Sequence, residues 1–393
     1  MSQRQAYYFN PTCEMEVANG LANYMPPAQM LRFVEDLETL PLVYATPDDC
    51  ILVTKLPSVD FINRLESAGF ALPSFRLVHK LDNLAGQFVP SPWGWSPAAA
   101  KKLGLLGAEW KDELRPFFSR QFAKELSLLL AEKNIPRTIN SDYIARYVDS
   151  LSDVENLLMD WGKVVIKAPY SSSGRGLQML RRNHLNVNII NKTRSLIAQQ
   201  GGVMLEPLMD VLCDFAFEFK LEKGMVNFVG YSHFLTTENG QYQGHQIPFS
   251  PDKLPAEAKH LWDIGVINAA LDELQAILQK SDLAQLYEGY FGVDAFVYKD
   301  EDGNVLLQPC LELNLRNNMG IVALHLEKHI AAGSSCNFQI VSPAHVSVSL
   351  FDEDMSARYP LLMADNKIVS GYLPLTSPSQ EAINLAYILV EKL

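Results

Sequence analysis

The N-terminal part of the chain alternates between strand-like and helix-like hydrophobic patterns. Residues 50–54 form a short apolar run, residues 59–69 have apolar positions at helical spacing and end on a glycine, and residues 75–79 are extended again. This pattern predicts a small β-α-β unit. Pro and Gly residues interrupt the segment 91–97, and helix formers follow it, so we expect a domain boundary near Arg115.

The central part begins with an amphipathic helix. Apolar side chains recur at helical spacing between residues 119 and 133, with Ser119 as a candidate N-cap and Pro136 just beyond the end. Residues 164–168 and 203–205 are short apolar runs that predict buried strands, and the second stops at Glu206-Pro207.

Two hairpins are predicted in the rest of the chain. Residues 215–221 and 225–234 are joined by a turn at 222–224, and residues 291–298 and 305–315 flank an acidic turn at 299–304. One long helix is predicted at 256–278. Beyond residue 332 we expect a strand at 345–350, an extended piece at 367–374 and a final helix from Ser379. The sequence contains no internal repeat.

Length and composition limit the class of protein. The 393 residues suggest two or three domains, and 48% hydrophobic with 20% charged side chains excludes a disordered or coiled-coil chain. The formal charge of −12 disfavours nucleic acid as a partner. The five cysteines stand singly, which predicts reduced thiols and no zinc site. No window approaches the ~20 apolar residues of a membrane span and no signal peptide is visible, so we expect a cytoplasmic protein without a membrane partner.

The second hairpin separates polar from apolar side chains, because strand residues alternate between the two faces. Leucines alternate there with Glu312, Asn314 and Arg316, so the polar side chains are expected on one face and the leucines on the other. The leucines are Leu311, Leu313 and Leu315.

The pairing across this hairpin brings in a second carboxylate. A tight acidic turn places Asp294 opposite Cys310 and diagonal to Glu312, at roughly 7–8 Å, and a bulge at Pro309 would bring the two carboxylates closer. Two carboxylates and the Asn314 amide oxygen are hard ligands suited to Mg²⁺. The alternative is a solvated polar strand face.

A lysine and a loop of small residues form the next candidate site. Lys167 ends the predicted strand at 164–168, and Ser and Gly residues dominate the loop up to Gly176. A fixed positive charge and closely approaching backbone N–H groups suit phosphate oxygens. The loop is neither a Walker A motif nor GxGxxG, and the alternative is a flexible connection.

The third feature is the apolar strand that ends at Glu206 and Pro207. Such a segment can present backbone groups to the edge of an adenine ring in an apolar slot, and the alternative is an ordinary strand end.

The order of these three features, between residues 119 and 324, resembles that of the ATP-grasp superfamily. The resemblance implies an α/β and α+β fold in which two lobes clasp ATP, preceded by a small Rossmann-like pre-ATP-grasp domain. It implies a pre-ATP-grasp domain at 1–115, ATP-grasp lobes at 116–340 and a C-terminal extension at 341–393 that packs on the body.

The resemblance also implies roles for individual residues. Glu206 would bind the adenine amino group, the backbone of Pro207 and Met209 the ring edge, and Asp214 the ribose. The full set of implied ATP-binding residues is Lys167, Ser171, Ser172, Ser173, Gly174, Gly176, Glu206, Pro207, Met209 and Asp214. The implied ligands for Mg²⁺, or Mn²⁺ in its place, are Asp294, Glu312 and Asn314, and the implied catalytic residues are Arg316 and Arg175.

The sequence departs from the family pattern in two places. Serines stand in the lid where many members have glycines, and both Arg120 and Lys124 are candidates for a further nucleotide-binding cation near the start of the first helix. Trp93 and Trp95 are candidates either for substrate contact or for packing between domains.

The activity implied by the resemblance is ligation. ATP would phosphorylate a carboxylate, and an amine, or less often a thiol, would displace phosphate from the acyl phosphate. Small-molecule acids and amines, among them amino acids and peptides, are the expected partners, and a homo-oligomer is left open. The alternatives are a phosphotransferase with the same fold and a nucleotide-binding protein without turnover.

Overall fold

The N-terminal part of the computed structural model is a small parallel sheet flanked by helices. The structure describes residues 3–171, 178–182, 187–236, 242–343 and 345–392. The first elements are β1 (Gln5–Tyr8), α1 (Cys13–Asn19), α2 (Ala28–Leu37), β2 (Cys50–Val53), α3 (Val59–Ser67), β3 (Ser74–Leu77), β4 (Val89–Pro92) and α4 (Pro97–Lys102). The strands are parallel in the order β3-β2-β1-β4, which confirms the predicted β-α-β unit as β2, α3 and β3.

A small antiparallel sheet follows and carries the predicted phosphate and adenine segments. Its elements are α5 (Arg120–Ala131), β5 (Arg146–Val148), α6 (Leu151–Trp161), β6 (Lys163–Lys167), β7 (Gln178–Arg181), α7 (Val187–Gln200) and β8 (Val203–Pro207). The strand order is β5-β8-β6-β7. The predicted helix after Ser119 and both predicted strands are confirmed, and the Ser119 hydroxyl caps α5 by accepting from the Gln121 N–H.

A large antiparallel sheet forms the rest of the body. Its elements are β9 (Asp210–Glu222), β10 (Met225–Thr236), β11 (Tyr242–Ile247), α8 (Ala256–Asp263), α9 (Val266–Lys280), α10 (Leu283–Leu286), β12 (Gly289–Lys299), β13 (Val305–Asn314), α11 (Met319–Glu327), β14 (Ser334–Val341), α12 (Val348–Arg358), β15 (Leu362–Ala364), β16 (Lys367–Pro374) and β17 (Leu385–Lys392). In the described residues its strand order is β13-β12-β9-β10-β11-β14-β17-β16-β15. Both predicted hairpins are present as β9/β10 and β12/β13.

The main hydrophobic core lies on one face of this sheet. Phe215, Phe217 and Phe219 alternate along β9 and are buried there with side chains of α5, α8 and α9. Because strand residues alternate, the intervening polar positions of β9 occupy the opposite face. That face carries the candidate site.

The predicted long helix at 256–278 is wrong, because the chain forms two helices, α8 and α9. Gly265 breaks the run with a φ of 79°, a left-handed conformation that favours glycine. The apolar spacing continues across the break, so periodicity alone does not detect it.

Two predictions near the C-terminus are also wrong. The segment predicted as a strand at 345–350 begins helix α12, whose first turn is capped by Ser347. The predicted final helix is strand β17, which pairs with β14 and β16. Its side chains are buried on both faces, in two different hydrophobic clusters. A short apolar run without alternation does not distinguish a helix from a two-sided strand.

The C-terminal part of the chain continues the large sheet through β14, β17, β16 and β15. The domain limits at 115 and 340 stay a prediction. Within the described ranges, no helix has the length and apolar character needed to cross a membrane.

Candidate functional site

The hairpin of β12 and β13 carries the candidate metal ligands, and its pairing contains a bulge. From the turn, the pairing is regular as far as the pair of Phe296 with Gln308. The next pair along the hairpin is Asp294 with Glu312. The predicted pairing of Asp294 with Cys310 is therefore wrong, because three residues of β13 bulge opposite one residue of β12. The two carboxylates stand at directly opposed positions as a result.

The bulge also separates Leu311 from the other two leucines. Leu313 and Leu315 are buried in the main core, as predicted. Leu311 instead packs with Phe296 and Tyr298, so its predicted face is wrong. Strict alternation fails where a strand contains extra residues.

The neighbouring strand β9 adds another carboxylate to this face. Gly292 of β12 pairs with Asn314 on one side and with Glu218 on the other. Gly292 stands two residues before Asp294, so its neighbours lie on the same face as Asp294 and Glu312. Three adjacent strands thus present four polar side chains together.

Glu218 is wholly buried in a space left by two glycines. Its carboxylate accepts from the Ser232 hydroxyl and from Nδ2 of Asn318, both at 2.8 Å. A Cβ added at Gly292 or at Gly320 would stand less than 3.0 Å from this carboxylate. Burial raises the pKa of Glu218 to about 7, although both hydrogen bonds oppose the shift.

Asp294 lies among other carboxylates. Burial, reinforced by the charges of Glu312 and Glu218, raises the pKa of Asp294 to about 8. The Asn314 amide opposes this shift, because its Nδ2 donates to Asp294 Oδ1 at 2.9 Å. Asp294 therefore holds its proton near neutral pH unless a cation binds beside it.

Arg120, at the start of α5, connects this face to the loop after β6. Its guanidinium is buried and donates to Glu312 Oε1 at 2.6 Å, to the Ala168 carbonyl at 2.8 Å and to Ser171 Oγ at 2.5 Å. Lys124 lies one helical turn further along. The contacts of Arg120 place its guanidinium inside the candidate site.

The predicted phosphate lysine and the predicted adenine-binding glutamate contact each other. Lys167 Nζ lies 2.5 Å from Glu206 Oε2, and both side chains are about nine-tenths buried. Burial raises the pKa of Asp214, and the Thr236 hydrogen bond and the charge of Lys167 oppose the shift. Thr236 donates to Asp214 Oδ2 at 2.9 Å. The small sheet and the large sheet thus contribute to one charged cluster.

Arg316 does not extend into open space, since all three of its guanidinium nitrogens have protein partners. Nε donates to Glu14 Oε1 at 2.8 Å, Nη2 to Asn314 Oδ1 at 2.9 Å, and Nη1 to the Asn317 carbonyl at 3.2 Å. Glu14 belongs to α1 of the N-terminal part. Its ion pair with Arg316 is buried and joins that part to the polar face.

Solved structures share this architecture. The biotin carboxylase domain of Hydrogenobacter thermophilus 2-oxoglutarate carboxylase, with MgADP, ADP and bicarbonate, is 12% identical, and the match covers 100% of this chain and 87% of that chain with a TM-score of 0.52. N5-carboxyaminoimidazole synthetase from Staphylococcus aureus, complexed with ADP, is 12% identical over 100% and 94% of the two chains with a TM-score of 0.50. Rhizobium etli pyruvate carboxylase is 15% identical over 100% of this chain and 36% of that chain, with a TM-score of 0.56.

The chain has the ATP-grasp fold. No protein-family model matches the sequence, and neither does any curated protein. The resemblance drawn from the order of motifs is therefore confirmed at the level of fold.

The segments predicted to be the lid and the hinge are described by the structure to different extents. Ser171 is described and contacts Arg120. The predictions for Ser172, Ser173, Gly174, Arg175 and Gly176 lie outside the described residues. Pro207 pairs with Val164 at the end of β8, and Met209 packs against the hydrophobic cluster that contains Phe296 and Tyr298, so an apolar cluster lies beside the predicted hinge.

The residues of this candidate site offer ligands for a divalent cation. Within the described ranges, no group of three or more His, Cys, Asp or Glu side chains is arranged to hold a metal ion, so a cation here depends on the Asn314 amide besides Asp294 and Glu312. The site contains two guanidinium groups and four buried or half-buried carboxyl groups. The guanidinium groups belong to Arg120 and Arg316, and the carboxyl groups to Asp294, Glu312, Glu14 and Glu218. Burial is the main cause of the raised pKa of Asp294, and the charges of Glu312 and Glu218 add to it; a bound Mg²⁺ would offset those two charges.

The sequence pattern alone does not assign three residues of the candidate site. Glu218 alternates with the core phenylalanines of β9, so the strand pattern around Asp214 contained the signal for it. Arg120 was one of two candidates. Glu14 carries no local signal, because its partner Arg316 is 302 positions away.

The two tryptophans serve packing in this structure. Trp93 is buried, and its ring centroid lies 4.8 Å from that of Phe9. Trp95 is partly buried and packs against two core clusters, one of them in the N-terminal part. Of the two alternatives, substrate contact and packing, the structure therefore shows packing for Trp93.

Proposed function

We propose that this protein is an ATP- and Mg²⁺-dependent ligase that joins a carboxylate to an amine through an acyl phosphate. The observation that supports this most strongly is the position of Arg120. Its guanidinium stands between Glu312 on the metal face and Ser171 at the start of the lid. A transferring phosphoryl group needs a positive charge at such a place, between its metal ligands and its phosphate loop.

Nucleotide binding is assigned to the small sheet and the hinge. Lys167 would contact phosphate oxygens, Glu206 the adenine amino group, and Asp214 the ribose. The backbone of Pro207 and Met209 would face the ring edge. The remaining lid residues would offer N–H and hydroxyl groups to the phosphates, with Arg175 as a further cation. These are Ser171, Ser172, Ser173, Gly174 and Gly176.

The proposed reaction has two steps. A carboxylate oxygen attacks the γ-phosphorus of ATP, the bond to the β-phosphate oxygen breaks, and ADP leaves. The amine nitrogen then attacks the acyl carbon, phosphate leaves as the C–N bond forms, and the nitrogen loses one proton to solvent. Arg120 and Lys167 would offset the charge on the moving phosphoryl oxygens, and no protein nucleophile is needed.

Asp294, Glu312 and Asn314 would hold the metal ion. When bound, Mg²⁺ neutralises phosphate oxygens and orients them for in-line transfer. Arg316, predicted as a substrate-binding catalytic residue, keeps that role only if it leaves its present partners. Its contacts instead suit a residue that holds Asn314 and Glu14 in place.

A substrate screen tests the proposal. The full chain is incubated with MgATP and with amino acids and peptides, singly and in pairs, and ADP, phosphate and product masses are recorded. A product whose mass is the sum of acid and amine less water supports ligation. A phosphorylated product would favour a phosphotransferase instead, and no ATP turnover with any pair would favour a binding protein.

Magnesium affinity should rise with pH. Burial and two neighbouring carboxylates hold the pKa of Asp294 at about 8, so below that pH a proton competes with the metal ion. We expect the affinity to increase by up to about tenfold per pH unit between pH 6.5 and 8, as one proton is displaced. Calorimetric titration with MgCl₂ measures this. Asp294→Asn should lose the pH dependence, whereas equal affinity of the wild type at both pH values would contradict the assignment.

Lys167→Ala should weaken ATP binding. The change removes a buried charge from the phosphate region and leaves Glu206 without its partner, so we expect affinity to fall by about tenfold, or ~1.4 kcal/mol. Lys163→Ala is the matched control, since Lys163 is exposed at the other end of β6. Equal ATP affinity in the two variants would show that Lys167 is an ordinary lysine at the end of a strand, with no role in ATP binding.

A further inference from the structure

A cavity outside the candidate site lies next to the start of the predicted lid. Its volume is about 490 Å³, within the range of small-molecule binding sites. It is lined by α5, by the segment before α5 and by the connection between α9 and α10. Tyr170, which directly precedes the lid residue Ser171, lines it as well. Among the described residues that line it, none is assigned to ATP or to the metal ion.

Three aromatic side chains line this cavity, those of Phe117, Phe122 and Tyr170. The rings of Phe117 and Phe122 contact each other edge to face, with their centroids 4.8 Å apart. All three side chains also pack against the main hydrophobic core, which restricts their rotamers. Fixed aromatic faces and edges of this kind suit a further aromatic ring.

Tyr170 is held by contacts to two other segments. Its backbone N–H donates to Gln200 Oε1 at 2.9 Å, and its carbonyl accepts from Gln200 Nε2 at 3.2 Å. The Arg115 guanidinium carbon lies 5.8 Å from the centroid of its ring, a cation–π contact. This wall of the cavity is therefore fixed by protein contacts, so a ligand would not have to order it.

Charged side chains of both signs line the same cavity. Lys280 ends α9, Asp282 precedes α10, and Glu125 lies on α5, and all three are exposed. Within the described ranges, none of the three side chains has an ion-pair or hydrogen-bond partner, so the lysine does not contact either carboxylate. Opposite charges that share a cavity without contacting each other can bind two charged groups of one ligand.

This combination of groups selects the chemistry of the ligand. An ammonium group would be attracted by Glu125 and Asp282, a carboxylate by Lys280, and an aromatic ring would pack against the aromatic side chains. An aromatic amine or an aromatic acid would satisfy only one sign of charge. A zwitterion with an aromatic side chain satisfies all three kinds of contact.

We propose that this cavity binds a free aromatic amino acid, at a site separate from the nucleotide. The inference does not rest on the proposed ligase function, because the residues that carry it take no part in that reaction. The occupant would contact Tyr170, whose neighbour Ser171 accepts a hydrogen bond from Arg120.

The test measures ligand binding to the full chain by saturation-transfer NMR. The probes are L-phenylalanine, L-tyrosine and L-tryptophan. Three analogues each lack one group: phenethylamine lacks the carboxylate, hydrocinnamate lacks the ammonium group, and L-alanine lacks the ring. Each titration is repeated with saturating MgADP.

The test variants are Lys280→Ala and the double variant Glu125→Gln/Asp282→Asn. Their matched controls are Lys253→Ala and Glu132→Gln, which change exposed residues outside the cavity. All of these side chains are exposed, so each variant should fold as the wild type does.

We expect at least one of the three amino acids to bind the wild type and both controls alike. Lys280→Ala and the double variant should each weaken its binding by about threefold to fivefold, the size of an exposed ion pair. Each analogue should bind more weakly than the amino acid, and MgADP should not displace the amino acid. Wild-type affinity in either test variant, equal binding of any analogue, displacement by MgADP, or no binding to the wild type would overturn the inference. The proposed ligase function is judged separately, by the products of the substrate screen.

Discussion

Glu312→Gln is expected to reduce MgATP turnover by about 10²–10³-fold, the size typical of losing one preorganised charge-stabilising group. The substitution removes a carboxylate opposite Asp294 and removes the charge partner of Arg120, whose Nη2 lies 2.6 Å from Glu312 Oε1. Glutamine keeps an oxygen that accepts from Arg120. The chain should remain folded but with a clearly lower Tm, because a buried arginine keeps its hydrogen bond but loses its ion pair, a change that is strongly destabilising.

Turnover of Glu312→Gln is measured as ADP release at saturating MgATP, with Tm followed by circular dichroism. Glu301→Gln is the matched control, since Glu301 lies exposed in the turn of the same hairpin and should behave as wild type. Turnover of Glu312→Gln at the wild-type rate would remove Glu312 from the metal site.

Gly320→Ala should be the most destabilising single-methyl change at this site. A Cβ at position 320 would approach Glu218 and Ser232 far more closely than real Cβ atoms do, although alanine normally stabilises a helix. Overpacking of this kind costs about 1–3 kcal/mol, and displacing the buried Glu218 carboxylate adds the loss of its hydrogen bonds. We expect a clear fall in the midpoint of urea unfolding with an unchanged m-value.

Two further variants isolate the cause. Gly104→Ala introduces the same methyl group where nothing lies within 4 Å, so it should leave the midpoint unchanged. In the Glu218→Ala background, Gly320→Ala should cost less than it does alone, because the clashing carboxylate is absent. Additive costs in the double variant would show that Glu218 is not the obstacle.

The strand pattern around the hairpin predicted the polar face well. Alternation identified Glu312 and Asn314, and their shared face with Asp294 is present in the structure. The bulge made the predicted pairing of Asp294 with Cys310 wrong. The bulge contains Cys310, whose carbonyl accepts from Ser127 of α5, and such a long-range contact has no signature in the alternation itself.

Long-range partners could not be predicted from the sequence. The ion pair of Glu14 with Arg316 joins residues 302 positions apart, and nothing near either residue specifies the other. The helix predicted in place of β17 is wrong for the same reason. Its apolar run forms a strand because β14 and β16 lie on its two sides. Elements defined by local spacing, such as α5, were predicted closely.

Transfer of labelled oxygen from the acid to phosphate tests the acyl-phosphate mechanism most directly. The acid and amine identified by the substrate screen are incubated with MgATP and the protein, the acid carrying ¹⁸O in its carboxylate. If that carboxylate attacks ATP, the phosphate released by the wild type carries one labelled oxygen, which mass spectrometry detects. Glu312→Gln should release only unlabelled phosphate, at the background rate. Unlabelled phosphate from the wild type, formed as fast as product, would contradict the account.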